Sequence, residues 1–590
     1  MLAPNRAALV LNGPVAAKAG YLNLREMLSS AADQAPTRHF LEEFTRGEWR
    51  ALTYQDALKK ASFVGRALIA RGLSRERPVA ILSQNSIEHA LISLGAMIAG
   101  IPVAPISVAY SQLEDTTRLS TILDLLTPGL VFSQDAEVCA RGLNLAREFG
   151  LPIMVASGAL SDAPALDQLF VEGQESSVSL PNLASNTVAK VLFTSGSTGA
   201  PKGVIITHGM MCSNQEAIRE VWKFLTDTPP DIVDWLPWNH VFGGNLVFNC
   251  VLRNAGTLTI DGGRPLPGQF QQTVENIKRR PPTIHLSVPS CLGELVRAMQ
   301  ADDELSERFF CRLRAVFSAG AALPRPTWDA LHDLARDHGR PDFKVFIGWG
   351  STETTPMVSI TPEANTHCTN LGVPIPGAAI KLVASDGMSE LRVRGPMVTP
   401  GYWRNEAATV AAFDEEGFYR IGDAGRLLDA ADPAQGILFD GRVAENFKLT
   451  TGTWVDVSKV RVSAIAAAAP IVQDAVVTGQ DRDEVGLLIF PSLAGCRNVA
   501  GMPEGSPGEL IKHRAVRAQV AAGLAELAQA RSSMRVARAI LLSDVPSVER
   551  GEITDKGYLN QRAILSGRAA LVDQLYQDPP SAEVILPASV

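Results

Sequence analysis

The sequence predicts an α/β protein with a large multi-sheet N-terminal domain and a small α+β C-terminal domain. Three observations predict this. From residue 50 to about 160, and again from 188 to about 380, helical segments alternate with short β-branched runs, the pattern of mainly parallel sheets. Near Asp440-Gly441-Arg442 the pattern changes to alternating strands and one amphipathic helix. The length of 590 residues also exceeds what one core holds. The boundary falls at 441/442, giving domains 1–441 and 442–590.

The elements follow in order. Ala57 to Arg71 has helical period, and Val79-Ala80-Ile81-Leu82 reads as a strand. Ala90 to Tyr110 carries no charge and is long enough to span a bilayer. Gly100, Pro102 and Pro105 break it, however. Asn85-Ser86-Ile87-Glu88 reads as a capping box opening a buried helix, and Ile101-Pro102-Val103 starts a buried strand. A core helix–strand unit is expected there. Leu130-Val131-Phe132 and Pro152-Ile153-Met154-Val155 are further strands. Residues 390–440 are richer in strands, with tight turns such as Asp414-Glu415-Glu416-Gly417. Beyond the boundary, Ala475-Val476-Val477 and Gly486-Leu487-Leu488-Ile489-Phe490 are strands, and about 509–531 is a helix. The Pro-rich tail from Asp578 is expected to be poorly ordered.

An apolar fraction of 46% with 20% charged residues indicates a soluble globular chain. Net charge is −8 without a basic block, which disfavours nucleic acid as a partner. Seven scattered cysteines with no Cys-x-x-Cys pair suit a reducing cytoplasm. Nine histidines without His-x-x-x-His spacing add nothing to suggest structural zinc. No secretory signal pattern is evident, and a monomer or homodimer is expected.

The most informative segment is Thr194-Ser195-Gly196-Ser197-Thr198-Gly199-Ala200-Pro201-Lys202-Gly203. Apolar strand patterns flank it, Val188 to Phe193 before and Val204-Ile205-Ile206 after. Glycines let backbone N–H groups approach phosphate oxygens, hydroxyls add donors and lysine adds charge. A solvated linker would not lie between two apolar strands. A Walker A loop is excluded, because Lys202 sits between Pro201 and Gly203 and a strand follows instead of a helix. The order strand, phosphate loop, strand resembles the adenylate-forming superfamily of acyl-CoA synthetases, luciferases and peptide-synthetase adenylation domains. That resemblance implies ATP as substrate, with Thr194, Ser195, Gly196, Ser197, Thr198, Gly199 and Lys202 around its phosphates.

Further segments carry the resemblance. Gly348-Trp349-Gly350-Ser351-Thr352-Glu353-Thr354-Thr355-Pro356 follows the strand Lys344 to Ile347. It resembles the superfamily's Tyr-Gly-Ser-Thr-Glu segment, with Trp349 as a flat aromatic able to stack on adenine. Gly350 would line the nucleotide, Thr352 would contact phosphate, and Glu353 would hold Mg²⁺, a hard ion that prefers oxygen ligands. Ser318-Ala319-Gly320-Ala321 follows the strand Ala315-Val316-Phe317. The resemblance places Gly320 and Ala321 at adenine, and Ser318, Ala319, Gly348 and Pro356 at the acyl pocket. Tyr419-Arg420-Ile421-Gly422-Asp423 is similar to Tyr-Arg-Thr-Gly-Asp, so that Asp423 would accept from the ribose hydroxyls. Trp238-Asn239-His240-Val241-Phe242-Gly243-Gly244-Asn245 resembles the acyl-pocket segment, implying that His240, Val241, Phe242 and Asn245 face the acid. Gly243 and Gly244 remove bulk and Phe242 offers a flat wall, which suits an aromatic acid better than acetate.

Arg442 to Val455 resembles the interdomain hinge and the loop after it. Arg442 would contact the nucleotide, Ala444 stands at the hinge position, usually Asp or Lys, and Gly452 would lie beside the CoA pantetheine arm. The stretch Asn446-Phe447-Lys448-Leu449-Thr450-Thr451-Gly452-Thr453-Trp454-Val455, and the run Glu552 to Arg562 around Lys556, look like feruloyl-CoA synthetases. Lys556 takes the place of the C-terminal catalytic lysine. The resemblance thus implies a two-step ligase using ATP, Mg²⁺ and CoA, with a mobile small domain that presents a different face in each step. A peptide-synthetase-type domain usually needs an aspartate for the substrate ammonium, and none occurs between Trp238 and Asn249. A luciferase-like oxygenase would use the same motifs. A dead nucleotide sensor would have lost Glu353, Asp423 or Lys556, and all are present.

Overall fold

The structure, a computed structural model, describes residues 8–16, 20–157, 165–195, 201–266, 268–385, 388–529, 534–547, 550–553 and 559–588. Two compact units emerge. The first holds the described residues up to Val383, with Arg392–Ile421 and Leu427–Leu438. The second holds Ala384–Leu391, Gly422–Arg426 and the described residues from Phe439 onward. The strands Ala379–Ser385, Met388–Arg394, Tyr419–Leu427 and Ile437–Arg442 each contribute residues to both. The division therefore does not reduce to one cut in the sequence.

In the first unit, a six-stranded sheet runs Ile153–Ser157, Leu130–Asp135, Val79–Ile81, Val103–Pro105, Val188–Ser195, Pro201–Thr207. All pairs are parallel except the last, which is an antiparallel hairpin. Its short central strands are buried throughout, as parallel strands covered on both faces must be. A second sheet orders Ile284–Ser287, Ala315–Ser318, Val345–Gly350, Met357–Ile360 and Val373–Pro374. It is parallel across its first three strands and antiparallel beyond. A third sheet joins Asp231–Asp234, Thr257–Ile260, His39–Thr45 and Glu48–Thr53.

The uncharged stretch is a core unit. Helix Ile87–Ile98 is buried at almost every position and leads to the buried strand Val103–Pro105. At 12 residues it is about 18 Å long, well short of a bilayer. Among the described residues no helix is long and apolar enough to cross a membrane. The expected capping box does not form. Ser86, one residue later than expected, is the N-cap and accepts from the His89 N–H. That shift moves Glu88 out of reach of the cap, and it pairs with Arg50 instead.

The second unit has a three-stranded sheet of Val472–Thr478, Val485–Pro491 and Val536–Leu541. The first pair is antiparallel and the second parallel. Alternate residues face two small cores. Val477, Leu487 and Ile489 pack with helices Val457–Ala467 and Arg514–Ala528. Val476, Leu488 and Phe490 pack with Ile564 and Leu575 from the last two helices. The tail is not loose as expected. Val584 and Ile585 are buried, and Ile585 exchanges backbone hydrogen bonds with Ala539. Arg517 also donates to the carbonyls of Ala582, Glu583 and Val584, so buried side chains and hydrogen bonds together anchor the Pro-rich segment.

Candidate active site

The two strands of the hairpin reach further into the phosphate-loop motif than the strand patterns anticipate, since Thr194 and Ser195 end the first and Pro201, Lys202 and Gly203 open the second. Thr194 stands opposite Lys202, and Ser195 opposite Pro201. Gly196, Ser197, Thr198 and Gly199 lie outside the described residues. The Lys202 ammonium sits 5.4 Å from the centre of the Tyr402 ring, within cation–π range. The Tyr402 hydroxyl donates to Glu353 Oε1 at 3.1 Å and lies 3.3 Å from the Tyr419 hydroxyl. Burial, reinforced by the Glu353 charge, pushes both phenols well above their ordinary range, so both remain protonated donors. Backbone bonds tie this group together. Thr399 N–H donates to Glu353 O at 2.7 Å, and Trp403 N–H to Gly203 O at 2.6 Å. The structure thus brings Lys202, Glu353 and Tyr419 around Tyr402.

Sequence reading missed Tyr402. Its only signal was a tyrosine after Pro400-Gly401, a turn that pointed to no chemistry.

Glu353 lies on the short turn Thr352–Thr354 after strand Val345–Gly350 and is partly exposed. It supplies one hard carboxylate. This donor set fits Mg²⁺, which takes one or two carboxylates and completes its shell with phosphate oxygens and water. Among the described residues no group of three His, Cys, Asp or Glu forms a protein-only cage.

On the second sheet, Ser318 is buried at the end of its strand, while Gly320 and Ala321 are exposed in the turn after Ala319. Gly320 has φ +91°, a conformation that favours glycine. Trp349, expected to stack on adenine, is 7% exposed, so the structure covers most of its ring. A Cβ on Gly348 would come within 2.3 Å of the Phe317 ring. That glycine makes room for a phenylalanine. Pro356 adjoins Gly350 so closely that a Cβ on Gly350 would meet its carbonyl at 1.7 Å.

The segment around His240 is held from outside. Asn85 Nδ2 donates to Leu236 O, and Trp238 N–H donates to Asn85 Oδ1, each at 2.9 Å. His240 is partly exposed, whereas Val241, Phe242 and Asn245 are buried. Phe242–Val247 forms a π-helical turn that runs into helix Phe248–Arg253. Such turns are rare and often mark functional sites. Phe242 meets Phe317 edge-on at 5.8 Å, and Phe317 meets Trp222 edge-on at 5.3 Å. Gly243 and Gly244 have a different reason from the one expected. A Cβ would lie 2.4 Å from Leu236 O at the first and 2.3 Å from Trp238 O at the second. Close backbone packing, not space for a ligand, requires them.

Within the second unit, Arg442 Nε pairs with Asp423 Oδ1 at 3.0 Å, and Asp423 is buried. Two residues expected to contact the nucleotide therefore contact each other. Ala444 is exposed in a turn closed by Glu445 N–H to Arg442 O at 3.1 Å. Gly452, with φ +81°, turns the hairpin between Phe447–Lys448 and Trp454–Val455. Lys556 lies outside the described residues.

The model of the AMP-binding enzyme family matches residues 28–403, and that of an AMP-binding enzyme C-terminal domain matches 449–579. A protein named probable CoA ligase CCL8 from Humulus lupulus is 25% identical over 70% of this chain and 69% of its own. A long-chain-fatty-acid–CoA ligase from Yersinia pestis is 26% identical over 60% and 68%. The L-proline–[L-prolyl-carrier protein] ligase of Streptomyces coelicolor is 26% identical over 79% and 88%. Among solved structures, ATP-bound MatB from Rhodopseudomonas palustris shares the fold with a TM-score of 0.72. It is 21% identical, and the match covers 93% of this chain and 99% of that one.

Proposed function

The chain belongs to the AMP-binding enzyme family, and from that premise we propose that it is an AMP-forming acid–thiol ligase for an aromatic, hydroxycinnamic-type acid such as ferulic acid. It forms an acyl-adenylate from the acid and ATP, then passes the acyl group to CoA. The observation that carries this reading is the grouping of Lys202, Glu353, Tyr402 and Tyr419 beside the phosphate-loop hairpin.

A carboxylic acid is ionised at neutral pH, so adenylation needs no general base. The obstacle is an anion approaching a polyanion, and catalysis is positioning and charge neutralisation. In the first step a carboxylate oxygen bonds to the α-phosphorus and pyrophosphate leaves. Lys202 and Lys556 supply positive charge, while Thr194 and Thr352 donate to phosphate oxygens. Glu353 would hold Mg²⁺, which when bound screens phosphate charge. Tyr402 orients that carboxylate. Asp423 accepts from the ribose once Arg442 releases it or shares it. In the second step the CoA sulfur bonds to the acyl carbon and AMP departs; thiols ionise near pH 8.5, so a useful fraction is thiolate near neutrality. Gly452 lies by the pantetheine arm in this scheme, and Ala444 is the hinge of the domain starting at 442.

As a wall of the acyl pocket in this scheme, Phe242, backed edge-on by Phe317, would suit a flat acid better than a long alkyl chain. The second reading is a CoA ligase for another aryl or medium-chain acid, or a stand-alone adenylating enzyme that does not use CoA. The fatty-acid and carrier-protein ligases among the relatives support it. ATP–pyrophosphate exchange with ferulate, coumarate, caffeate, benzoate and medium-chain fatty acids, followed by CoA addition, separates these. Exchange with ferulate and thioester on adding CoA is expected; faster turnover of a fatty acid would overturn the aromatic assignment.

A further inference from the structure

Lys190 is 5% exposed, and no acidic side chain pairs with it among the described residues. Its Nζ donates to Gly244 O at 2.6 Å and to Asn245 Oδ1 at 2.9 Å. Burial lowers this amine to about 7, but charged or neutral it has hydrogens to donate. The contact fixes the orientation of the Asn245 amide. The ammonium form of Lys190 can only donate, so Oδ1 faces the lysine and Nδ2 faces away. Asn245 is 0% exposed, and its Nδ2 has no partner among the described residues. Leaving a buried donor unmet is destabilising. One helical turn on, Asn249 is also buried with both amide atoms unmet, and the neighbouring Gln215 has an unmet Oε1.

This cluster shares a sheet face with the phosphate-loop hairpin. Side chains alternate along a strand, so Lys190 and Thr194 in strand Val188–Ser195 project to the same side. Four residues at about 3.3 Å each separate them by about 13 Å. An acid with its carboxylate at the hairpin would direct its far end toward Asn245.

Resting on the ligase reading, we propose that Asn245 Nδ2 is a specificity-determining donor to an oxygen on the acid remote from its carboxylate, and that Lys190 is the residue that positions it. The substrate class is then an acid with a phenolic hydroxyl or ether oxygen at its far end. A plain aryl or alkyl acid leaves the donor unmet, and such sites discriminate against analogues lacking the polar group.

The test compares p-coumarate with cinnamate, which differ by that hydroxyl, as kcat/KM in pyrophosphate exchange. The ratio cancels any loss of folded enzyme. The wild-type protein is expected to prefer p-coumarate at least tenfold. Asn245→Leu, with Asn245→Ala as a smaller alternative, should lower the ratio at least tenfold, and Lys190→Met at least threefold. Equilibrium dialysis of both acids without ATP forms a second arm. If the wild-type protein shows no exchange with any acid but dialysis retains the preference and Asn245→Leu abolishes it, the ligase reading fails and the donor assignment stands. A wild-type ratio near one, as expected if water satisfies Asn245, or a ratio unmoved by Asn245→Leu, overturns the donor. A ratio unmoved by Lys190→Met overturns the positioning role.

Discussion

Tyr402 links a cation, a carboxylate and a second phenol through one buried ring. Its hydroxyl donates to Glu353 Oε1 and so orients the carboxylate proposed to hold the metal. Hydrogen bonds to charged groups contribute about 1.5–3 kcal/mol. Tyr402→Phe should therefore raise the Mg²⁺ concentration for half-maximal pyrophosphate exchange by roughly tenfold or more. A shift below twofold would mean that Glu353 needs no such orientation. At this scale, Lys202 and Glu353 were legible from their motifs in sequence, whereas Tyr419 appeared only as part of the segment read for Asp423. Tyr402 was not legible, because its role arises from meeting residues 49 and 17 positions away.

Elements explain what motif residues alone leave obscure. The π-helical turn Phe242–Val247 packs its glycines on the carbonyls of Leu236 and Trp238, and Asn85 from another element holds the Leu236 carbonyl and the Trp238 N–H. Gly244→Ala places a methyl 2.3 Å from Trp238 O. Overpacking of this kind typically costs about 1–3 kcal/mol. The variant should melt at a lower temperature, with KM for the acid raised more than KM for ATP. Unchanged melting would show that the turn yields easily. The double glycine was visible in sequence but its reason was not. A glycine for a ligand and a glycine for a backbone look alike until the neighbour is known.

Two predictions belong to the whole molecule. His89, His208 and His285 are buried, and burial pushes each imidazole down to about 4. An unfolded histidine binds its proton near 6.5, so between pH 6.5 and 4 the unfolded chain holds more protons. The contribution of these histidines to stability should be fully present above pH 6.5 and be lost as pH drops toward 4. His285→Leu should narrow the difference in melting temperature between pH 7.5 and pH 5; an unchanged gap would remove His285 from that effect. The second concerns Lys556, assigned to adenylation alone. Lys556→Ala should slow adenylate formation by about 10²–10³, yet still convert supplied feruloyl-adenylate and CoA to thioester. Equal loss of both steps in folded protein would reject the separation of roles.

The sequence by itself determined the α/β class, the strand–loop–strand hairpin and the family. Hydrophobic period, turn residues and motif order are local properties that survive without coordinates. Tertiary structure decided the rest. It placed Tyr402 between Lys202 and Glu353, paired Asp423 with Arg442, moved the helix cap to Ser86 and anchored the tail through Ile585. It also buried Lys190 against Asn245, although in sequence that lysine is one polar residue in an apolar strand. Each of these depends on which distant groups share a low-dielectric interior. There, an unmet donor or charge must find a partner, and that partner is chosen by the fold.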